Sequence, residues 1–242
     1  MRACQPQACA AAQSGVFAQW DKMGEKGRMT AEQIAQCKGR LRCADSLQAL
    51  SDCTLVIEAV VERLDVKAAL FAQLEDIVSA TSVLATNTSS LSVTAIAAQL
   101  KRPAQLAGYH FFNPVPLMKV VEVIGGLRSD SAVCVRLAEY VRQMGHTPVQ
   151  AADTPGFIVN HAGRGYGTEA LRVAGENIAD FATIDRILKD QVGFRLGPFE
   201  LMDLTALDVS HPVMESIYRQ YYDEPRYRPS PWPASYPHPT LP

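Results

Sequence analysis

Over the middle of the chain, short apolar runs alternate with stripes of helical spacing. Leu55-Val56-Ile57-Glu58-Ala59-Val60-Val61 is apolar and β-branched, which predicts a strand buried on both faces, as in a parallel sheet. Residues 65–79 carry Val66, Leu70, Leu74 and Ile77 at helical spacing. Residues 82–86, 106–112, 119–124 and 147–151 read as further strands. Residues 92–100 and 131–144 read as helices, stopped by Pro103 and Gly145. Strands alternating with helices in this way predict a doubly wound α/β sheet. The link between the third and fourth strands, around Val115 to Lys119, is too short for a parallel crossover, so that pair is expected to be antiparallel.

The flanks read differently. Residues 1–12 show no clear period, and residues 15–29 predict a helix ending near Gly24 or Gly27. Thr30 and Gln33 form a capping box that opens a helix running toward Leu41. Asp45 and Gln48 repeat the arrangement for a short helix ending near Leu50. Beyond Asp153 the pattern is helical as far as Asp223, with Thr154-Pro155-Gly156 as the hinge. Gly197-Pro198 opens one helix there, and Ser210 or His211 opens another with Pro212 in its first turn. Residues 225–242 hold seven prolines, which predicts an extended or disordered tail. The expected organisation is a sheet domain over residues 1–153, a smaller all-helical domain over 154–224 and the proline-rich tail.

Charge narrows the function. The chain has 23 Lys and Arg against 25 Asp and Glu, a net charge of −2. That balance argues against a strongly basic nucleic-acid binder and against a polybasic membrane-surface protein. No uncharged apolar run reaches the length of a transmembrane helix, and no membrane partner is expected. The six cysteines form no C-x-x-C pair and have no matching His spacing, so neither a zinc site nor a disulfide scaffold is expected, and a reducing cytoplasm is.

In open α/β sheets, ligands bind beyond the carboxyl ends of the strands. Here those ends deliver Glu62, the run Thr86-Asn87-Thr88-Ser89-Ser90, then His110 and Asn113. His110 is the natural proton carrier, because an imidazole titrates near neutrality. The same residue could be a hydrogen-bonded core histidine beside Tyr109 and Phe111. Glu122 lies inside the apolar run Val120-Val121-Glu122-Val123-Ile124, where an unpaired carboxylate is costly, so a pairing with His110 is expected. The alternative is a surface-facing position on a half-exposed strand. His146, His161, His211 and His238 have no metal spacing. A Ser-His-Glu triad of Ser89, His110 and Glu122 would suggest a hydrolase, but no G-x-S-x-G elbow surrounds Ser89 or Ser90.

At Ala107-Gly108-Tyr109-His110-Phe111-Phe112-Asn113-Pro114-Val115-Pro116 the chain resembles the L-3-hydroxyacyl-CoA dehydrogenases, including the bacterial 3-hydroxybutyryl-CoA enzymes. Thr86-Asn87-Thr88-Ser89-Ser90-Leu91 resembles that family's serine loop, and Lys119 to Ile124 its glutamate strand. Asp153-Thr154-Pro155-Gly156-Phe157-Ile158-Val159-Asn160 resembles its interdomain segment, and Gly197-Pro198-Phe199-Glu200-Leu201 with Asp203 its helical domain. The resemblance implies NAD-dependent oxidation of (S)-3-hydroxyacyl-CoA to 3-oxoacyl-CoA. It implies a catalytic set in which His110 is the base, Glu122 orients it, and Ser89 and Asn160 position the substrate. Glu62, Lys67, Ser89 and Asn113 would contact NAD, and Lys22 or Lys26 would lie near the CoA. The partners implied are an acyl-CoA and a second copy of the chain, joined through the helical domain.

Two features depart from that family. No G-x-G-x-x-G turn follows a strand in the first fifty residues, and the proline-rich tail replaces a basic, glycine-containing segment. The expected fold is therefore an incomplete doubly wound (Rossmann-like) sheet followed by a smaller all-helical domain. Such a truncated chain is expected to expose an apolar edge at residues 55–61, to bind NAD weakly and to be nearly inactive. An inactive acyl-CoA-binding remnant is the alternative.

Overall fold

The computed structural model describes residues 6–205 and 207–230. Two exposed helices, α1 (Pro6–Glu25) and α2 (Ala31–Arg40), precede the sheet. The Thr30–Gln33 capping box is formed in full at the start of α2. Helix α1 begins earlier than its periodicity predicts. Residues 8–12 are mostly exposed alanines, so high helix propensity rather than a buried stripe sustains the first turns. The expected helix at Asp45 is a 3₁₀ turn, Leu47–Leu50, whose flanking Ser46 makes no side-chain cap.

Five strands follow: β1 (Leu55–Glu58), β2 (Val83–Thr86), β3 (Leu106–Phe111), β4 (Val120–Gly125) and β5 (Thr147–Ala152). They lie side by side in sequence order. The pairs β1–β2, β2–β3 and β4–β5 are parallel, and β3–β4 is antiparallel, as the short connection requires. Helices α3 (Leu64–Ile77) and α4 (Val93–Ala97) cover one face and α5 (Ser131–Gln143) the other. Phe71, Leu74, Val93, Ile96 and Leu106 fill the first core layer, and Tyr109, Val121, Val123, Leu137 and Val141 the second.

Strand β1 corrects the expectation of a seven-residue strand covered on both faces. It ends at Glu58, pairs with β2 only, and leaves Ile57 47% exposed. Among the described residues it is an edge strand, the apolar edge expected at residues 55–61, and its covering helices sit mainly on one side.

Beyond Asp153 the described residues are helical: α6 (Val159–Ala162), α7 (Arg164–Gly175), α8 (Phe181–Asp190), α9 (Pro198–Thr205) and α10 (Leu207–Gln220). They pack around Leu171, Ile184, Phe199, Met202 and Met214. Helix α9 starts at Pro198 as expected, its first backbone N–H groups held by the Asp185 carboxylate. Helix α10 starts before Ser210, and Pro212 lies inside it rather than in its first turn.

Asp153 anchors the start of the hinge to the sheet half. Its carboxylate accepts from the Ser92 hydroxyl and from the N–H groups of Val93 and Thr94 at the start of α4. Gly156 then takes φ +79°, and a Cβ there would meet Ile217 at 2.9 Å and the His161 nitrogen at 3.0 Å. Only glycine suits both constraints.

The proline-rich tail is ordered at its beginning, against expectation. Pro225–Tyr227 forms a 3₁₀ turn, and Tyr227 is buried with its hydroxyl 3.1 Å from His161 Nε2. The Tyr221 hydroxyl holds His161 Nδ1 at 2.9 Å, so one imidazole joins the turn to the residue that follows α10. Residues 231–242, the rest of that expectation, lie outside the described residues. Among the described residues no helix is long and apolar enough to cross a membrane.

Candidate active site

The antiparallel register of β3 and β4 sets His110 directly opposite Glu122. Directly paired residues project to the same face of a sheet, about 5 Å apart at Cβ. The imidazole and carboxylate therefore meet without a loop to position them. Glu122 Oε2 lies 2.6 Å from His110 Nδ1, and both residues are buried.

Glu122's second oxygen is occupied as well. Its Oε1 accepts from the N–H groups of Ile158 and Val159, each at 2.9 Å, where the chain leaves the hinge and enters α6. Burial pushes this carboxyl up. The bond from His110 and those from the two backbone N–H groups outweigh it and hold Glu122 below the usual carboxylate range. An anionic Glu122 fixes the proton on His110 Nδ1 and leaves Nε2 as the ring's acceptor. The two rings flanking the imidazole are Phe112 and Phe157.

A second buried cluster forms at the carboxyl ends of β1 and β2. Lys67, on α3 and 1% exposed, places its ammonium 2.7 Å from Glu58 Oε1, 3.2 Å from Glu62 Oε2 and 3.3 Å from the Val60 carbonyl. The Thr86 hydroxyl donates to the other Glu58 oxygen. Glu62 in turn accepts from the Thr88 and Ser90 hydroxyls and from the N–H groups of Ser89 and Ser90. Burial raises the Glu62 carboxyl, but the Thr88 hydroxyl, the Lys67 charge and the Ser89 N–H together hold it low. Glu62 thus shapes the serine loop, and Lys67 is committed to the two glutamates. The lysine's three donors meet Glu58, Glu62 and the Val60 carbonyl at the edge of the serine loop.

The loop and the imidazole face one cleft of about 460 Å³, lined by Asn87, Ser89, His110, Asn113, Asn160 and Arg164 together with the apolar Phe112, Leu201, Met202 and Met214. Asn160 on α6 reaches across to the Ser89 carbonyl at 3.2 Å. Of the seven site residues expected from sequence, Ser89, His110, Asn113 and Asn160 line the cleft, Glu122 stands behind His110, and Glu62 and Lys67 stand behind the serine loop. Lys22 lies in α1 and Lys26 just beyond it, and neither is among the lining residues.

Three participants were not read from the sequence. Asn87 lines the cleft and accepts from the Phe111 N–H. Glu58 is the buried partner of Lys67, and its signal was available: an acid inside an apolar run, as at Glu122. Arg164 carried no signal in its glycine-rich surroundings.

No hydrogen bond joins the Ser89 or Ser90 hydroxyl to His110 among the described residues. Ser90 instead donates to Glu62, which removes it as a nucleophile activated by the imidazole.

A family model described as "3-hydroxyacyl-CoA dehydrogenase, NAD binding domain" matches residues 1–154. The chain belongs to the 3-hydroxyacyl-CoA dehydrogenase family. The family's C-terminal domain matches residues 156–237. The 3-hydroxyadipyl-CoA dehydrogenase of Escherichia coli K12 is 44% identical over 216 residues, which are 89% of this chain and 46% of that protein. A probable 3-hydroxybutyryl-CoA dehydrogenase of Deinococcus radiodurans is 39% identical over 87% of this chain and 75% of its own length. The crystal structure of 3-hydroxybutyryl-CoA dehydrogenase from E. coli K12 superposes with a TM-score of 0.92 at 42% identity, covering 95% of this chain and 49% of that one. The chain thus spans about half the length of some relatives and most of others.

Proposed function

We propose that this chain carries the reaction centre of an NAD-dependent (S)-3-hydroxyacyl-CoA dehydrogenase. The observation that carries the reading is the buried Glu122–His110 pair opening onto a cleft shared by the sheet and the helical half. His110 Nε2 takes the proton of the substrate's 3-hydroxyl as the hydrogen on the same carbon departs with its electron pair. Bound NAD supplies the acceptor for that hydride. Glu122 stays anionic, holds the ring in the required tautomer and supports the imidazolium that forms. Ser89 and Asn160, joined through the Ser89 carbonyl, present polar groups to the substrate's oxygen and thioester. The amides of Asn87 and Asn113 and the edge of the serine loop fit the neutral carboxamide of a nicotinamide. Ser89 and Asn113 would hold it, with Glu62 shaping the loop beneath.

The exposed apolar side chains Ile178, Val192, Phe194 and Leu204 on the helical half favour a homodimer through that half. The described free cysteines favour a reducing compartment such as the cytoplasm.

Acetoacetyl-CoA with millimolar NADH tests the reaction. Loss of NADH absorbance matched by 3-hydroxybutyryl-CoA supports dehydrogenation. Binding of acetoacetyl-CoA without NADH loss supports the remnant reading, and release of free thiol supports the hydrolase.

A further inference from the structure

Arg164 opens α7 and is one of the residues that line the cleft. Its Nε is buried without a hydrogen-bond partner. Its one side-chain hydrogen bond among the described residues is a long one, 3.4 Å from Nη2 to Asn160 Oδ1. No acidic side chain lines this cleft among the described residues. Burial alone acts on the guanidinium and disfavours its charge, with no carboxylate set against it. A desolvated, unpaired cation costs free energy that an incoming anion would return. The other glutamates near the cleft are committed: Glu122 to His110 and two backbone N–H groups, Glu62 to Lys67 and the serine loop.

Position says which part of a substrate the cation meets. Asn160 and Arg164 are four residues apart across the α6–α7 junction, where Gly163 N–H still bonds to the Val159 carbonyl. The Arg164 backbone therefore stands one helical turn, about 5.4 Å, beyond that of Asn160, and its guanidinium lies 3.4 Å from the Asn160 amide oxygen, within reach of the end of a short acyl chain only. It stands in the helical half with Met202 and Met214, on the apolar lining where an acyl chain would run.

We propose that Arg164 is a specificity-determining residue that binds a carboxylate at the far end of the acyl chain, so that the preferred substrates are short, ω-carboxylated 3-hydroxyacyl-CoA esters. The proposal rests on the acyl-CoA reading above and deepens it. The planar guanidinium suits this role, because its paired N–H groups match a carboxylate's two oxygens. An unbranched acyl chain lacking the carboxylate would leave the part-buried cation without a countercharge, as it stands now.

Calorimetry with the whole chain tests this without the reaction, using hexanoyl-CoA and adipyl-CoA, which differ only at the chain end. Adipyl-CoA is expected to bind about tenfold to a hundredfold more tightly, the effect of a charge-assisted hydrogen bond. Arg164→Gln should remove that preference while changing hexanoyl-CoA affinity less than about threefold. Arg164→Lys, which keeps the charge and loses the fork, should retain part of it. Equal weakening of both esters and of free CoA by Arg164→Gln would assign the guanidinium to a CoA phosphate and overturn the proposal. Tight hexanoyl-CoA binding with no preference in the parent chain would overturn it while leaving the acyl-CoA reading intact. Failure of both esters to bind would overturn both. Should Arg164→Gln not fold, the parent chain's preference and the Lys variant decide.

Discussion

Replacing Glu122 by Gln perturbs the reaction centre with almost no change of shape. The carboxylate has three donors to satisfy: His110 Nδ1–H and the N–H groups of Ile158 and Val159. A glutamine has one oxygen. If that oxygen stays with the two backbone groups, the NH₂ faces His110, and the imidazole must turn Nδ1 into an acceptor. The proton then sits on Nε2, the atom needed to receive the substrate's proton. Nitrogen NMR of the ring reads this directly, with the Nδ1–H form expected in the parent chain and the Nε2–H form in Glu122→Gln. Charge-assisted bonds contribute about 1.5–3 kcal/mol each and neutral ones about 0.5–1.5. Three weakened bonds, offset by the smaller cost of burying an amide, give a net loss of about 1–3 kcal/mol at neutral pH. The pH dependence has a definite sign. Glu122 is held below its usual range in the fold, so its stabilisation is complete above the ordinary carboxylate value and is lost as pH falls through the lowered one. Urea unfolding between neutral pH and the acid range should therefore show a shallower acid loss in Glu122→Gln than in the parent. Unchanged tautomer and unchanged acid slope would refute the coupling and leave Glu122 as packing.

Three further outcomes follow from the same geometry. His110→Ala should lower the rate with acetoacetyl-CoA and NADH by about two to four decades, while acetoacetyl-CoA affinity measured by calorimetry changes little; a loss under tenfold would make His110 structural. Lys67→Met leaves Glu58 and Glu62 without their cation and should cost about 3–5 kcal/mol in urea unfolding, partly recovered by adding Glu58→Gln. Gly156→Ala forces a Cβ onto φ +79° and against the His161 nitrogen, and should cost at least about 1–2 kcal/mol, read as a lowered midpoint of unfolding.

The interior of the sheet was legible because its signals are local. A β-branched run flanked by a helical stripe can be read from a dozen residues, and a short link compels an antiparallel pair wherever it occurs. Burial along a strand depends on neighbours. Ile57 is as apolar as Leu84, yet one is 47% exposed and the other fully buried, because β1 has a partner on one side and β2 on both; the run alone reads as covered on both faces, and the exposed edge at residues 55–61 was expected only from the strands missing beside it. Residues 6–12 have no stripe to detect, since their side chains face solvent where described. The first turn of the tail is held by His161, more than sixty residues earlier in the chain, and prolines alone cannot announce that contact.

The site shows the same division in a sharper form. An acid inside an apolar run must find a partner, and that rule singled out Glu122 for the His110 that the strand ends had already supplied. It applied equally to Glu58, three residues into the run at Leu55, where it would have led to Lys67. The two acids sit in comparable sequence surroundings and serve different ends. Glu58 meets a permanent cation and closes a structural network, whereas Glu122 meets a ring that can gain and lose a proton while facing a cleft. The partner, supplied by the fold and not by the run itself, decides whether a buried carboxylate braces the sheet or prepares a base. Arg164 presents the converse case, a charge to which the described residues give one long bond from Asn160 and no countercharge. The same reasoning is what proposes a ligand's carboxylate as the partner of Arg164.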